Sequence, residues 1–464
     1  MKVFDTIGAI ATPVGVGGIA IIRISGENAE EAVGRIAFPK NGKSLEMLES
    51  HKLTLSDIKN GIDGETLDEA LVAVMRAPNS YTGETVIEIN CHGGYFAAES
   101  IMEALFKSGV RQAEAGEFTR RAFVNGKMDL IGAEAVIDLI HASSSLGQSN
   151  AAKALSGKLS EKVEKIREKA VLFAANISAV ADYPDEIEEL TFEELKARID
   201  EICLDIDEML SGFSRGKIMR DGILTVIAGR PNVGKSSLLN ALSRTDRAIV
   251  TDIPGTTRDT VEEYISINGI ALRLVDTAGI RESENSVEKI GIEKAKENIK
   301  DADLCLFVLD ASQKISAEDM EIFEYTKEKN VIVIVNKTDI SGEIDTEKLS
   351  RKLGTEKENV VLTSTPKDGK VFGIQELEKK ITKMFMEGEI SKDDVFISND
   401  RQKNALIKAK TIACQMKQSL SMGMPADMLY VDLEEVIAAL GEVTGQTVQD
   451  EIIDRVFERF CVGK

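Results

Sequence analysis

The sequence predicts a protein of mixed α/β and α class in three folded parts: an α/β N-terminal domain, a helical bundle, and a second α/β domain inserted into that bundle. Three observations lead there. Residues 1 to about 120 carry short β-branched runs separated by glycine and proline turn signals. Residues 125–215 and the far end of the chain carry apolar residues at alternating steps of three and four. Between them, residues 220–384 alternate wholly apolar runs with helix-like segments, the pattern of a parallel sheet covered on both faces.

In the N-terminal part, apolar runs at 18–24, 70–75 and 86–89 are bounded by Pro13, Gly61, Gly64, Pro78-Asn79 and Gly93-Gly94, and a helix is expected over 96–106. The helical part opens with Leu159, Val163, Ile166, Ala170, Phe173, Ile177 and Val180 on one face. After a break at Pro184 the spacing returns in Leu195, Ile199, Ile202, Ile206 and Met209, and again in Ala405, Ala409, Ile412, Met416 and Leu420. Bundle packing explains these stripes. The inserted part has apolar runs at 223–228, 272–275, 304–309 and 331–335.

A chain of 464 residues is too long for a single core. Its 43% hydrophobic and 29% charged residues are ordinary for a globular protein, and no apolar run approaches the roughly 18–20 residues of a membrane span. The N-terminus has neither a signal core nor an Arg-rich transit pattern, so a cytoplasmic protein is expected, with no membrane partner. Five scattered cysteines without a CxxC pair give no zinc or disulfide framework. A formal net charge of −21 argues against a general nucleic-acid surface, which is basic as a rule; any RNA contact needs a local patch or a partner.

The chemistry begins at Gly229-x-x-x-x-Gly234-Lys235-Ser236, between an apolar run and a helix-like stretch starting at Ser237. Glycines allow backbone N–H groups to face phosphate oxygens, and the helix N-terminus favours the anion. Lys235 suits the β- and γ-phosphates, and the Ser236 hydroxyl suits a magnesium ion. Asp276-Thr277-Ala278-Gly279 follows the second run, placing a carboxylate near the magnesium shell and a glycine amide near the γ-phosphate. Asn336-Lys337-Thr338-Asp339 follows the fourth, where the Asp339 carboxylate accepts from two adjacent N–H groups of guanine that adenine lacks. Between the first two motifs, Thr251-Asp252-Ile253-Pro254-Gly255-Thr256-Thr257 has the place of a switch loop, with Thr257 on the magnesium ion. Three motifs in this order, each after an apolar run, predict a GTP site. Ile280 stands where small signalling GTPases carry a water-orienting glutamine, so hydrolysis needs another polar group and another positive charge.

The whole chain resembles the family of the tRNA modification GTPase MnmE, also called TrmE. The resemblance is carried by Ala11-Thr12-Pro13, Tyr81-Thr82-Gly83-Glu84, His92-Gly93-Gly94, the stretch from Gly116-Glu117 to Arg120-Arg121-Ala122-Phe123, and the close Cys461-Val462-Gly463-Lys464. It implies a tetrahydrofolate-binding and dimerisation domain at 1–120, a first helical part at 121–220, an inserted P-loop G domain at 221–384 and a second helical part at 385–464. It further implies a homodimer that works with the flavoprotein MnmG (GidA) to add a carboxymethylaminomethyl-type group at C5 of the tRNA wobble uridine.

Residue by residue, the resemblance places GTP contacts on Asn232, Val233, Gly234, Lys235, Ser236 and Ser237, on 251–257, on 276–279, and on Asn336, Lys337, Asp339 and Ser364. The resemblance also implies that potassium, bound by the Asn232 side chain and by Thr251, Ile253 and Thr256, closes the G domains and supplies the missing charge, and that Glu288 orients the water. A 5-formyl- or methylene-tetrahydrofolate falls to Arg23, Glu88, Lys127 and Lys464. The last guanine loop departs from the usual Ser-Ala-Lys: this chain reads Thr363-Ser364-Thr365-Pro366, with Ser364 as the counterpart of the serine. Cys461 is open between a functional thiol and a buried helix residue. Two other readings stand beside this one: a regulatory or ribosome-assembly GTPase acting as a binding switch, and a folate-dependent one-carbon transferase timed by its GTPase.

Overall fold

The computed structural model describes residues 5–13, 15–61, 64–245, 263–274, 299–340, 344–366, 371–386, 391, 393–426 and 428–464. Two units organise it. Met1–Ile137, Leu155–Ile199 and Thr411–Lys464 form the first, and Asp138–Ala154 with Asp200–Lys410 the second.

In the first unit β1 (Ile7–Ile10), β2 (Ile19–Ser25), β3 (Ala37–Pro39), β4 (Leu53–Lys59), β5 (Thr66–Met75), β6 (Val86–His92) and β7 (Arg111–Gln112) form one sheet in the order β3-β4-β5-β6-β2-β1-β7. Pairing is antiparallel throughout except between β1 and β7. Side chains alternate across a strand, so Ile22, Ile24, Val72, Val74, Ile87 and Ile89 share one face, packed under Ile101 and Leu105 of the helix Tyr95–Lys107. The register that pairs Ile22 with Ile89 also pairs Arg23 with Glu88, on the opposite face. The runs expected at 18–24, 70–75 and 86–89 are β2, β5 and β6. Strand β4, Leu-Thr-Leu-Ser-Asp-Ile-Lys, has no continuous apolar run and declares itself only through its pairing with β5.

The helices Lys158–Asp182 and Met428–Thr444 lie side by side in this unit. Leu159, Val163, Ile166, Ala170, Phe173 and Ile177 are all buried, as the stripe requires, and the first helix ends two residues before Pro184. Farther on, Phe457 and Phe460 pack against Leu130, Ala133 and Val136. Val462 then bridges Ala115. Gly463 has φ +98°, and a Cβ there would lie 2.6 Å from the Ile10 carbonyl oxygen. Only glycine permits that approach, and it draws Lys464 alongside β1.

The second unit's sheet contains β8 (Ile223–Ala228), β9 (Glu263–Ile267), β10 (Ile270–Leu274), β11 (Leu304–Asp310), β12 (Asn330–Asn336) and β13 (Val360–Leu362), in the order β13-β12-β11-β8-β10-β9. The expectation of a parallel sheet needs one amendment. Asn268 and Gly269 both have positive φ, 49° and 82°, and this two-residue turn folds β9 back antiparallel on β10 as an edge strand. All other neighbours are parallel. Every residue of β11 is buried because both faces are covered. Leu304, Leu306 and Val308 meet Leu238, Leu242, Leu377 and Ile381, while Cys305, Phe307 and Leu309 meet Ile299, Ile322 and Phe323. With β8, β11 and β12 parallel, their carboxyl ends open on one edge, where sheets of this kind bind ligands.

Candidate functional site

The loop leaving β8 spans residues 229–234 and enters the helix Lys235–Thr245. Its backbone needs unusual conformations: φ is +144° at Gly229, +62° at Asn232 and +100° at Gly234. Asparagine tolerates the left-handed region better than most residues. Val233 is buried and pins the turn to the core. The Lys235 ammonium folds back over the loop, donating to the carbonyls of Gly229 (2.6 Å) and Arg230 (2.9 Å). Burial lowers its pKa from the ordinary lysine value, against a weaker pull from Glu318. A partly desolvated ammonium held, among the described residues, by two carbonyls is a site that an anion improves. Ser236 and Ser237 occupy the first turn of the helix, where backbone N–H groups have no helical acceptor.

Three loops close on this one from β11, β12 and β13. Asn336 Nδ2 donates to the Val233 carbonyl at 3.2 Å, and its Oδ1 accepts from Thr363 Oγ1 (3.1 Å) and Thr365 Oγ1 (3.2 Å). Lys337, itself at φ +64°, donates from Nζ to the Asn232 carbonyl and to Asp310 Oδ2, both at 2.7 Å. Burial works against ionisation of Asp310, but hydrogen bonds from Lys337 and Ser312 prevail and hold its pKa below the ordinary value. Ser364 Oγ donates to Asp339 Oδ1 at 2.6 Å. Eight expected residues therefore assemble: Asn232, Val233, Gly234 and Lys235 with Asn336, Lys337 and the Asp339–Ser364 pair beside them. Thr365, whose place in the departing loop sequence left its role open, supports Asn336.

Thr251, Asp252, Ile253, Pro254, Gly255, Thr256, Thr257, Asp276, Thr277, Ala278, Gly279, Ile280 and Glu288 lie outside the described residues.

The first unit holds a second cluster. Arg23 pairs with Glu88 through Nε (2.9 Å) and Nη2 (2.8 Å), with both side chains about four-fifths covered. The guanidinium stands 5.4 Å from the Tyr81 ring centroid and 5.9 Å from that of Phe118, within cation–π range. Tyr81 is fixed by a 2.9 Å hydrogen bond with Thr119, and burial raises its pKa. Lys464 belongs here too: burial first, then the neighbouring Arg23 charge, lower its pKa, while Glu88 and Cys461 oppose the shift. Lys127 donates from Nζ to the Pro78 carbonyl at 3.0 Å. Cys461 is exposed and lies beyond the last helix, so it is not a buried helix residue.

Sequence reading passed over Arg121. Its side chain is 2% exposed and contacts three acidic residues: Asp5 Oδ1 (3.1 Å), Glu84 Oε2 (3.1 Å) and Glu117 Oε1 (2.9 Å). It also donates to the Asp5 carbonyl at 2.7 Å. Glu84 in turn accepts from Ser25, at the end of the strand that carries Arg23. The available signal was an Arg120-Arg121 pair on a short helix with two acidic partners far away in sequence, which spacing alone cannot connect. Among the described residues no helix is long and apolar enough to cross a membrane.

Known proteins resemble the chain along its whole length. Residues 6–127 match the family described as GTP-binding protein TrmE N-terminus, and residues 130–461 match the MnmE helical domain. The tRNA modification GTPase MnmE of Carboxydothermus hydrogenoformans is 46% identical over 464 residues, 99% of each chain. Its counterpart in Clostridioides difficile is 46% identical over 467 residues, covering 100% of both. That of Geobacillus thermodenitrificans is 44% identical, again across 100% of both.

Proposed function

This chain belongs to the family of the tRNA modification GTPase MnmE, a GTP hydrolase of tRNA modification, and from that premise we propose how its own residues divide the work. The observation that carries the proposal is the mutual bracing of two loops. Lys337 and Asn336 hold the carbonyls of Asn232 and Val233, so the phosphate loop and the guanine loop form one rigid cradle. Asn232 to Ser237 bind the phosphates, and Asn336, Lys337, Asp339 and Ser364 bind guanine.

The donor set fits the implied ions. The Ser236 hydroxyl at a helix N-terminus suits magnesium, with Thr257 as its proposed companion ligand. Asn232 is exposed among the described residues and its backbone is fixed by Lys337, so its side-chain oxygen is the proposed ligand of a potassium ion shared with the carbonyls of Thr251, Ile253 and Thr256. When bound, that ion offsets charge developing on the transferred phosphoryl group. Thr251 to Thr257 and Asp276 to Gly279 complete the nucleotide site. Glu288 orients the attacking water, the task for which Ile280 has no hydrogen-bonding group.

The Arg23, Glu88 and Lys464 cluster supports the folate reading. A carboxylate suits the amide-like edge of a pterin, and two cations suit a glutamate tail. Lys127 completes the set. The carbon unit of 5-formyl- or methylene-tetrahydrofolate then reaches the wobble uridine through joint work with the flavoprotein MnmG. A homodimer built through residues 1–120 carries helical parts 121–220 and 385–464 and the G domain 221–384, in the cytoplasm. Closure of paired G domains by GTP and potassium, and their reopening on hydrolysis, links the two sites.

The deciding experiment is mass spectrometry of tRNA nucleosides from a strain lacking this gene. Loss of the C5 modification at the wobble uridine is expected; an unchanged profile favours the binding-switch reading. GTP hydrolysis much faster in potassium than in sodium is expected alongside, and equal rates contradict the cation mechanism.

A further inference from the structure

The loop between β11 and the helix Ala317–Thr326 contributes no residue to the nucleotide reading, yet it grips the phosphate loop. Arg230 Nε donates to Asp319 Oδ1 at 2.7 Å, and its Nη2 donates to Gln313 Oε1 at 3.2 Å. Asp319 is fully buried and also caps its helix, accepting from Ser316 N (2.8 Å) and Ser316 Oγ (2.9 Å). Arg230 is thereby anchored to a rigid helix end.

Gln313 carries the connection onward. Its Nε2 donates to Asp310 Oδ2 at 3.3 Å, the same oxygen that accepts from Lys337, and Lys337 reaches the Asn232 carbonyl. The amide has only one sensible orientation, since a guanidinium offers only donors and a carboxylate only acceptors. The bonds therefore close a circuit: Arg230, Gln313, Asp310, Lys337 and Asn232, with the backbone through Pro231 as the last link. Inside it sits the one loop residue besides glycine that needs a positive φ, Asn232. A left-handed asparagine is held against its local preference, so fixing both the preceding side chain and its own carbonyl selects the conformation.

We propose that Arg230, acting through Gln313 and Asp310, is a positioning residue that presets the Pro231-Asn232 turn and so aims the Asn232 side chain at the monovalent cation. The inference rests on the potassium reading of Asn232. Outer-shell partners of this kind are worth roughly 10–100-fold in metal affinity. A merely structural role would lower stability and nucleotide affinity together. A positioning role moves the cation response alone.

The test uses the full-length protein with Arg230→Lys, which keeps a charge for Asp319 but loses the two-pronged fork, and Gln313→Ala, at an exposed position where folding is not at risk. Two readouts are taken against potassium chloride at constant ionic strength, with sodium as the balancing salt. One is the GTP hydrolysis rate. The other is the potassium-dependent rise in Tm of protein loaded with GDP and aluminium fluoride, which reports cation binding without turnover. Both variants are expected to need about tenfold more potassium in each readout, with affinity for a fluorescent GDP analogue changed less than about threefold, well under 1 kcal/mol. A potassium-activated wild type with unshifted variants overturns the inference alone, as does a parallel loss of nucleotide affinity. Equal wild-type behaviour in potassium and sodium overturns the potassium reading, and the inference with it. Should Arg230→Lys fail to fold, Gln313→Ala decides.

Discussion

Ser364 donates a 2.6 Å hydrogen bond to the carboxylate of Asp339, joining the loop after β13 to the loop after β12. The bond occupies one face of Oδ1 and leaves Oδ2 and the remaining lone pairs for two parallel N–H donors, the pattern on guanine's edge. Asp339→Asn removes the charge from both base contacts. Hydrogen bonds to charged groups are worth about 1.5–3 kcal/mol each, so GDP affinity should fall at least about 100-fold. Xanthosine diphosphate, which offers a carbonyl to the new amide, should gain. Ser364→Ala only loosens the carboxylate and should cost about two- to tenfold. Displacement of a fluorescent GDP analogue measures all three values; unaltered base preference in Asp339→Asn would remove that residue from guanine recognition.

Gly234 shows how tightly the two loops are fitted. Its φ of +100° is closed to side-chain-bearing residues, and a Cβ would lie 2.2 Å from Asn336 Nδ2, the atom that braces Val233. Gly234→Ala therefore strains the backbone and forces Asn336 off its partners, Thr363 and Thr365 included. Backbone strain alone costs on the order of 1–3 kcal/mol. A lower Tm with loss of nucleotide binding by calorimetry is expected. Binding at wild-type strength would mean that the cradle rearranges without Asn336.

The inserted sheet and the phosphate loop are legible in the sequence because both are local. A strand buried on both faces is one apolar run, and a phosphate loop is eight consecutive residues. The pairing of Arg23 with Glu88 is different, since only the β2–β6 register brings together two residues 65 positions apart. Family likeness named those two residues and spacing could not. Arg121 received no role by either route, because two of its three carboxylate partners, Asp5 and Glu84, lie on distant segments, and only Glu117 is on its own helix. Antiparallel β9 is set by the Asn268-Gly269 turn, a two-residue signal easily lost between apolar runs that otherwise imply parallel strands.

Lys464 tests the folate cluster. Burial and the adjacent Arg23 charge make its ammonium easier to deprotonate than an ordinary lysine. An anionic ligand tail restores the favoured charged form, so binding should be stronger than at an exposed lysine and should fade at a pH below the usual lysine range. Lys464→Met should weaken 5-formyltetrahydrofolate binding about tenfold or more, the worth of one charge-assisted hydrogen bond, while GTP hydrolysis is unchanged. Titration calorimetry across pH 7 to 10 checks this; a flat profile with unweakened Lys464→Met would place the anion elsewhere.

Glu117 sets a pH dependence whose sign can be worked out. Burial favours its neutral form, but bonds from Arg111, the Glu114 backbone and Arg121 outweigh it, so its folded pKa lies below the ordinary 4.5. Asp5 is likewise held below 3.8, chiefly by its hydrogen bond to Arg111. Between each lowered value and its ordinary one, the unfolded chain binds more protons than the folded chain, so stability rises with pH there. The contribution is complete above the ordinary values and is lost as pH falls through the lowered ones. Glu117→Gln removes that dependence at one site and leaves Arg121, only 2% exposed, with one carboxylate fewer. At pH 7 the variant should therefore be less stable than the parent, since breaking a buried pair costs about 3–5 kcal/mol at most. Below pH 4 the gap should narrow, because the parent is losing the same charge. Tm measured from pH 3.5 to 7 for both proteins reads the gap directly. A difference that stays constant across the range would show that Glu117 acts through packing, with its charge playing no part.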